Sequence, residues 1–125
     1  MKNILVIDDD IIIGRLIGKI ARRNAIDITV ARSAKEAKRV LHSKKRFDAI
    51  FLDLIIPDIS GWDILTAIKK DPSIKHIPVI ILTGALLSKG ETDKLRKRVF
   101  AILDKRTFET EQIETILKGG EANTT

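Results

Sequence analysis

Five short apolar segments, each rich in isoleucine or valine or both, place the strongest constraint on the fold of this chain. They are residues 3–8, 26–31, 47–53, 78–83 and 100–104. Three of them are nearly continuous rather than alternating, which is typical of strands covered by helices on both faces. Between them, apolar residues recur at helical spacing. Strand and helix therefore alternate along the whole chain, which predicts one α/β domain with a parallel sheet between two layers of helices.

Local signals place several helix ends. Ser33 and Glu36 have the form of a capping box, which predicts that the second helix starts at the residue after Ser33. Asp71 followed by Pro72 ends the third helix. The fourth helix lies within residues 86–98, where a glycine and a polar stretch interrupt the helical periodicity.

Length and composition exclude several classes of protein. The chain has 125 residues, no cysteine and a net charge of +6. It is long enough to bury a core without a disulfide or a structural metal, and no apolar run approaches the about 20 residues of a membrane-spanning helix. We therefore expect a cytoplasmic protein with no membrane contact. We expect residues 1–118 to form the domain and residues 119–125 to be a frayed tail.

The positive charge favours acidic partners, because net charge acts on association. Most basic residues follow the polar faces of the predicted helices, and aromatic residues make up only 4% of the chain. Few aromatic rings are therefore available for stacking on bases. We expect no direct binding to nucleic acid.

Ionisable or hydroxyl residues stand at the ends of four of the five predicted strands. In strand order they are Asp8, Asp9 and Asp10, then Asp53, then Thr83, then Asp104 and Lys105. Ligands bind at the carboxyl ends of the strands in an open parallel sheet. Taken singly, an aspartate there can be a helix N-cap, a threonine a strand residue and a lysine a solvated loop residue. Capping alone does not explain the same feature at four strand ends.

The chemistry of this cluster favours a metal ion and a phosphoryl group. Two like charges 4 Å apart repel by about 4 kcal/mol at an effective dielectric of 20, so clustered carboxylates need a cation or a proton. Oxygen ligands without histidine or cysteine favour Mg²⁺ or Mn²⁺. A hydroxyl and an ammonium beside such an ion suit the oxygens of a phosphoryl group.

The motifs ILVIDDD, FDAIFLDLIIPDISGWDIL, PVIILTG and AILDK, in this order and spacing, resemble the receiver domains of response regulators in two-component signalling. The resemblance covers the chain from end to end. It implies a flavodoxin-like (βα)5 sandwich of three layers, with a five-stranded parallel sheet in the order 2-1-3-4-5. It also implies a phosphorelay signalling domain, and not an enzyme acting on other molecules.

The resemblance implies a role for each matching residue. Asp53 accepts a phosphoryl group from a histidine kinase or a histidine phosphotransfer protein, in a reaction that needs Mg²⁺ or Mn²⁺. Thr83 and Lys105 contact the phosphoryl oxygens. The implied metal ligands are Asp8 acting through water, Asp9, Asp53 and the backbone carbonyl of Ile55. Asp10 stands at a position that varies in the family, and we interpret it as a helix cap.

After phosphorylation, the resemblance implies a conformational switch. The face built from the fourth helix, the fifth strand and the fifth helix repacks and binds a downstream protein, and such domains often form homodimers through it. Pro57 and Gly61 match the family's loop after the phosphorylation site, where glycine relieves a turn beside the helix that carries Trp62.

Two positions depart from the family pattern. Arg106 follows Lys105 where the family has proline, and Ile102 stands where it has an aromatic switch residue. A cis peptide bond before a non-proline residue costs about 2.5–4 kcal/mol, so we expect a trans bond or a strained loop. The sequence around these positions resembles more the receivers at the ends of hybrid sensor kinases.

Two alternative functions stay open on the residues alone. A haloacid-dehalogenase-like phosphatase would use Asp8, Asp10, Thr83 and Lys105, but it would need an acidic pair after the lysine and would leave Asp53 idle. A receiver that docks on a partner without phosphorylation would keep the fold without the chemistry. The complete acidic set favours the phosphoacceptor.

Overall fold

The five apolar segments form five parallel strands, and a helix follows each of them. The computed structural model describes residues 1–120. The strands are β1 (Asn3–Ile7), β2 (Asp27–Ala31), β3 (Ala49–Leu52), β4 (Val79–Thr83) and β5 (Ala101–Asp104). The helices are α1 (Ile11–Arg23), α2 (Ala34–Leu41), α3 (Gly61–Lys70), α4 (Lys89–Arg96) and α5 (Thr110–Leu117). The sheet order is β2-β1-β3-β4-β5, so the predicted flavodoxin-like fold is confirmed.

The sheet has a separate apolar core on each face. Leu5 and Ile7 of β1 point into the core beneath α2 and α3, whereas Ile4 and Val6 point into the core beneath α1 and α5. Strands β3 and β4 are buried along their whole length. Because both faces are covered, these strands show no alternation of polar and apolar residues in the sequence.

The helix starts follow the predicted capping with one correction. The Ser33 hydroxyl accepts a hydrogen bond from the Glu36 N–H at 3.1 Å, and α2 begins at Ala34 as predicted. The Glu36 carboxylate accepts from the Arg32 N–H at 2.8 Å, so the reciprocal half of the predicted box binds one residue earlier. A capping box with both of its reciprocal hydrogen bonds is found at α4, between Ser88 and Glu91.

The remaining predicted boundaries are close to those observed. Helix α3 ends at Lys70, just before the Asp71-Pro72 pair. Helix α4 lies inside the predicted range 86–98. In the described range, no helix combines the length and the apolar character needed to cross a membrane. Most of the predicted tail, residues 121–125, lies outside the described residues.

Candidate functional site

The site lies at the carboxyl edge of four neighbouring strands. Asp8 follows β1, Asp53 follows β3, Thr83 ends β4 and Lys105 follows β5. Asp8, Asp53 and Thr83 are the buried polar side chains of the described chain, with exposed fractions of 3%, 4% and 2%. Because the strands that carry them are parallel and adjacent, these side chains meet although they are far apart in sequence.

Both carboxylate oxygens of Asp53 are engaged. Its Oδ1 accepts hydrogen bonds from the Thr83 hydroxyl at 2.5 Å and from the Ile55 N–H at 3.0 Å. Its Oδ2 accepts from the Lys105 ammonium at 2.7 Å. The carboxylate is thus oriented by neighbours from two other strands and from its own loop.

The Lys105 ammonium also binds the first aspartate. Its Nζ lies 2.9 Å from Oδ2 and 3.0 Å from Oδ1 of Asp8. Burial raises the pKa of Asp8 to about 6, against the opposing effect of this lysine. Burial alone would lower the pKa of Lys105, but its hydrogen bonds to Asp53 and Asp8 outweigh burial and raise that pKa. The lysine is therefore the cation that two buried carboxylates require.

Three aspartates are placed to hold a divalent cation. One carboxylate oxygen from each of Asp8, Asp9 and Asp53 lies within 4.8 Å of the others. Asp9 is exposed, whereas the other two are buried, so the group opens to solvent on one side. The donors are all oxygens, which matches the preference of Mg²⁺ and Mn²⁺. The residues present therefore fit a hard divalent ion.

Gly61 explains how helix α3 approaches the loop that follows Asp53. A Cβ at this position would lie 2.5 Å from the Leu54 Cα and would also meet the carbonyl oxygen of Asp53. The Gly61 N–H donates to the Leu54 carbonyl at 3.0 Å. Glycine is needed here because α3 touches the backbone of the residues after β3, and not because of an unusual φ.

Two other aspartates at the same edge bind groups outside this cluster of buried side chains. Asp10 caps α1, because its Oδ1 accepts from the Ile12 N–H at 3.0 Å, as the sequence predicted. Asp104 turns toward Arg106, whose Nε donates to its carboxylate at 2.9 Å. Hydrogen bonds from Arg106 lower the pKa of Asp104 to about 2. The Asp104 carboxylate is thus engaged by Arg106, and within residues 1–120 no hydrogen bond or ion pair joins it to Asp8, Asp53 or the Lys105 ammonium.

The two departures from the family pattern have plain structural outcomes. The described residues contain no cis peptide bond, so the bond between Lys105 and Arg106 is trans. Ile102 is partly buried and packs against the core beneath α2 and α3. A cavity of about 200 Å³ lies beside Thr83, lined by Leu87 and Ile102 among others.

Asp58 was not identified from the sequence. Its carboxylate accepts hydrogen bonds from the backbone N–H groups of Ala34 at 2.7 Å and Lys35 at 3.1 Å, and these contacts lower its pKa. They tie the loop after Asp53 to the start of α2. The partners are more than twenty residues apart in sequence, so no local pattern signals the contact.

The match to a known family is consistent with this geometry. A model of the response regulator receiver domain matches residues 4–118. The chain belongs to the response regulator receiver domain family. This membership, together with the central place of Asp53, argues against the phosphatase alternative.

The protein is also similar to curated and structurally characterised response regulators. The two-component response regulator ORR12 of Oryza sativa subsp. japonica is 28% identical over 102 residues, covering 82% of this chain and 78% of its own. The structure of the phosphorylated cyanobacterial phytochrome response regulator RcpA is 27% identical with a TM-score of 0.78, covering 94% of this chain and 89% of its own. The Mn²⁺-bound form of response regulator Rcp1, at 24% identity, has the same fold with a TM-score of 0.78 and covers 95% and 91%.

Proposed function

We propose that this chain is a phosphorelay receiver that accepts a phosphoryl group on Asp53 from a phosphohistidine of a histidine kinase or a histidine phosphotransfer protein. One observation carries the proposal: the Asp53 carboxylate lies between the Thr83 hydroxyl and the Lys105 ammonium at the carboxyl edge of the sheet. The solved relative that is phosphorylated supports it.

The transfer forms one bond and breaks one. A carboxylate oxygen of Asp53 attacks the phosphorus as the bond between phosphorus and the donor imidazole breaks. The bonding electron pair stays on the imidazole nitrogen, and that ring takes up a proton. Little covalent chemistry is required of the protein, so positioning and charge supply the catalysis.

Lys105 and Thr83 provide these two effects. The ammonium already lies 2.7 Å from Asp53, so it can follow negative charge onto the phosphoryl oxygens with little movement. The Thr83 hydroxyl gives up its bond to the carboxylate and donates to a phosphoryl oxygen instead. Both groups are therefore in place before the donor arrives.

Asp8, Asp9 and Asp53 are the residues that would hold Mg²⁺ or Mn²⁺, with the Ile55 carbonyl as the further ligand that the family implies. The bound ion would supply positive charge against the phosphoryl oxygens. The Mn²⁺-bound relative supports this cofactor. The protein's own contribution is to orient the carboxylates, which Lys105 does at Asp8 and Asp53.

The phosphorylated chain then switches between two packings. An inward movement of Thr83 would draw the loop after β4 with it, and the cavity beside Thr83 gives Leu87 and Ile102, which line it, space to repack. Ile102 is smaller than the family's aromatic residue, so we propose repacking of aliphatic side chains instead of ring rotation. The population shift would alter the face of α4, β5 and α5, which would bind a downstream protein or a second copy. We propose no direct nucleic-acid binding, and a cytoplasmic location with the phosphodonor.

The test uses the purified chain with MgCl₂ and acetyl phosphate, followed by intact mass measurement. We expect the added mass of one phosphoryl group, no addition in Asp53→Asn, and normal addition in the matched surface variant Asp63→Asn. Beryllofluoride with MgCl₂ should change Trp62 fluorescence. Absence of both responses would favour the docking module without phosphorylation, and activity retained in Asp53→Asn would place the nucleophile elsewhere.

A further inference from the structure

A long groove runs between α1 and the edge strand β2, away from the phosphorylation site. Its volume is about 660 Å³. Gly14 and Gly18 of α1 line it from one side, and Ile28 and Val30 of β2 from the other. None of the lining residues is Asp53, Thr83 or Lys105.

Strand β2 offers unused backbone hydrogen bonds along this groove. The Asp27 N–H donates to Lys2, and the Ala31 carbonyl accepts from Asp8, so these residues face β1. Backbone groups alternate in direction along a strand, so those of Ile28 and Val30 face away from β1. No other strand of residues 1–120 pairs with this edge. Such an edge is a template for an added strand.

The groove is basic at its rim. Four cationic side chains line it, namely Arg15, Arg22, Arg32 and Lys45. None of them has a carboxylate partner within the described part of the chain. Asp10 and Asp27 also line it, but Asp10 is engaged as the cap of α1. Lys45 already donates to the Thr29 hydroxyl at 2.8 Å and lies 5.9 Å from the centre of the Phe47 ring, so the three arginines are the cations left to meet a ligand. The groove therefore combines a free sheet edge with three arginines that have no carboxylate partner.

The packing of α1 leaves this space open. A Cβ on Gly14 would meet nothing closer than 3.8 Å, and one on Gly18 nothing closer than 4.0 Å. Alanine would fit at both positions and would favour the helix. Packing within the domain thus does not require either glycine, and a larger side chain at either position would reduce the groove.

We propose that this groove binds an extended acidic segment of a partner protein, which adds to β2 as an outer strand. Its backbone would pair with Ile28 and Val30, its carboxylates would meet the arginines at the rim, and its small apolar side chains would lie over the glycines. A second copy of this chain fits less well, because each copy carries a charge of +6.

The test uses a labelled synthetic peptide of alternating glutamate and valine and the full chain. We expect salt-sensitive binding by fluorescence anisotropy. We also expect amide hydrogen exchange at Ile28 and Val30 to slow by at least about tenfold on binding. The same peptide with lysine in place of glutamate should not bind.

Matched charge reversals locate the site. Arg15→Glu with Arg32→Glu should weaken peptide binding by at least about tenfold. The control pair, Lys19→Glu with Arg39→Glu, makes the same charge change at exposed positions outside the groove. Phosphoryl addition to Asp53 should be unchanged in both pairs, so failure here is distinct from failure of the proposed function.

Three results would overturn this inference. One is equal weakening of binding by the two charge-reversed pairs. Another is binding without slower exchange at Ile28 and Val30. The third is full displacement of the acidic peptide by a duplex DNA oligonucleotide, which would assign the basic rim to nucleic acid.

Discussion

Replacement of Gly61 by alanine gives the sharpest test of how this site is built. The new methyl group would lie 2.5 Å from the Leu54 Cα, whereas carbon atoms in contact are normally about 3.5–4.0 Å apart. The obstacle is backbone, so no side-chain rotation can relieve it. Either α3 moves outward by about 1 Å to restore that contact distance, or the loop after Asp53 moves.

The expected cost follows from known overpacking. An extra methyl group in a well-packed interior lowers the free energy of unfolding by about 1–3 kcal/mol. Replacing glycine by alanine inside a helix stabilises it by about 0.5–1 kcal/mol. At the first position of α3 this gain is smaller, so it offsets only part of the overpacking cost. We therefore expect Gly61→Ala to lower the free energy of unfolding by about 2 kcal/mol. It should also slow phosphoryl addition to Asp53, because the displaced backbone carries Asp53, the proposed nucleophile.

Gly14→Ala is the matched control, with the opposite expected sign. Its methyl group would meet nothing closer than 3.8 Å, so the gain for a helix interior of about 0.5–1 kcal/mol is not opposed by a clash. Urea unfolding compares the two midpoints, with unchanged slopes as the check on two-state behaviour. If both variants shift stability in the same direction, or if Gly61→Ala is neutral, the close approach at Leu54 does not constrain the fold as argued.

Three further predictions test other contacts. Hydrogen bonds from the backbone N–H groups of Lys2 and Asn3 lower the pKa of Asp48. The carboxylate therefore stabilises the fold fully above its unfolded-state pKa, and this stabilisation is lost as the pH falls below about 4. The urea midpoint of Asp48→Asn should fall less with acid than that of the unsubstituted chain. Lys105→Met leaves Asp8 and Asp53 buried without their cation, and should lower the free energy of unfolding by about 3 kcal/mol, with partial recovery in MgCl₂. We expect slow hydrolysis of the phosphorylated chain, because neither Ile55 nor Ala85 has a polar side-chain atom to orient water beside Asp53. Ile55→Asn should shorten the phosphoryl half-life measured by intact mass, and a half-life of seconds in the unsubstituted chain would contradict this.

The fold was predictable because each strand carries its own signal. Strands β3 and β4 are continuous apolar runs that end at a polar residue, and the parallel topology then brings those ends to one edge. The boundary errors have local causes. The third strand was predicted from Phe47 but starts at Ala49, and the Asp48 side chain there binds the N–H groups of Lys2 and Asn3.

The sequence predicted which residues meet at this edge of the sheet, but not which side chains pair with each other. Their positions at the ends of predicted parallel strands indicated that Asp8, Asp53, Thr83 and Lys105 converge, and the structure brings them together. The sequence did not indicate that Asp104 would pair with Arg106 two residues later. Competition between nearby partners depends on side-chain directions, which a pattern of residue types does not contain.

The buried carboxylates already have a cation in the structure. Clustered carboxylates were expected to need a cation, and a divalent ion was the expected one. Lys105 already supplies that charge to Asp8 and Asp53, at 2.9 and 2.7 Å. The carboxylate of Asp53 therefore stays oriented before any ion or donor binds.

The two oxygens of the Asp53 carboxylate are held differently. Its Oδ2 is held by one ion pair, whereas Oδ1 is held by two hydrogen bonds from Thr83 and Ile55. If Asp53 accepts the phosphoryl group as proposed, attack from Oδ2 would leave both hydrogen bonds on Oδ1 in place until the phosphorus–oxygen bond forms, and the Thr83 hydroxyl would then move to a phosphoryl oxygen.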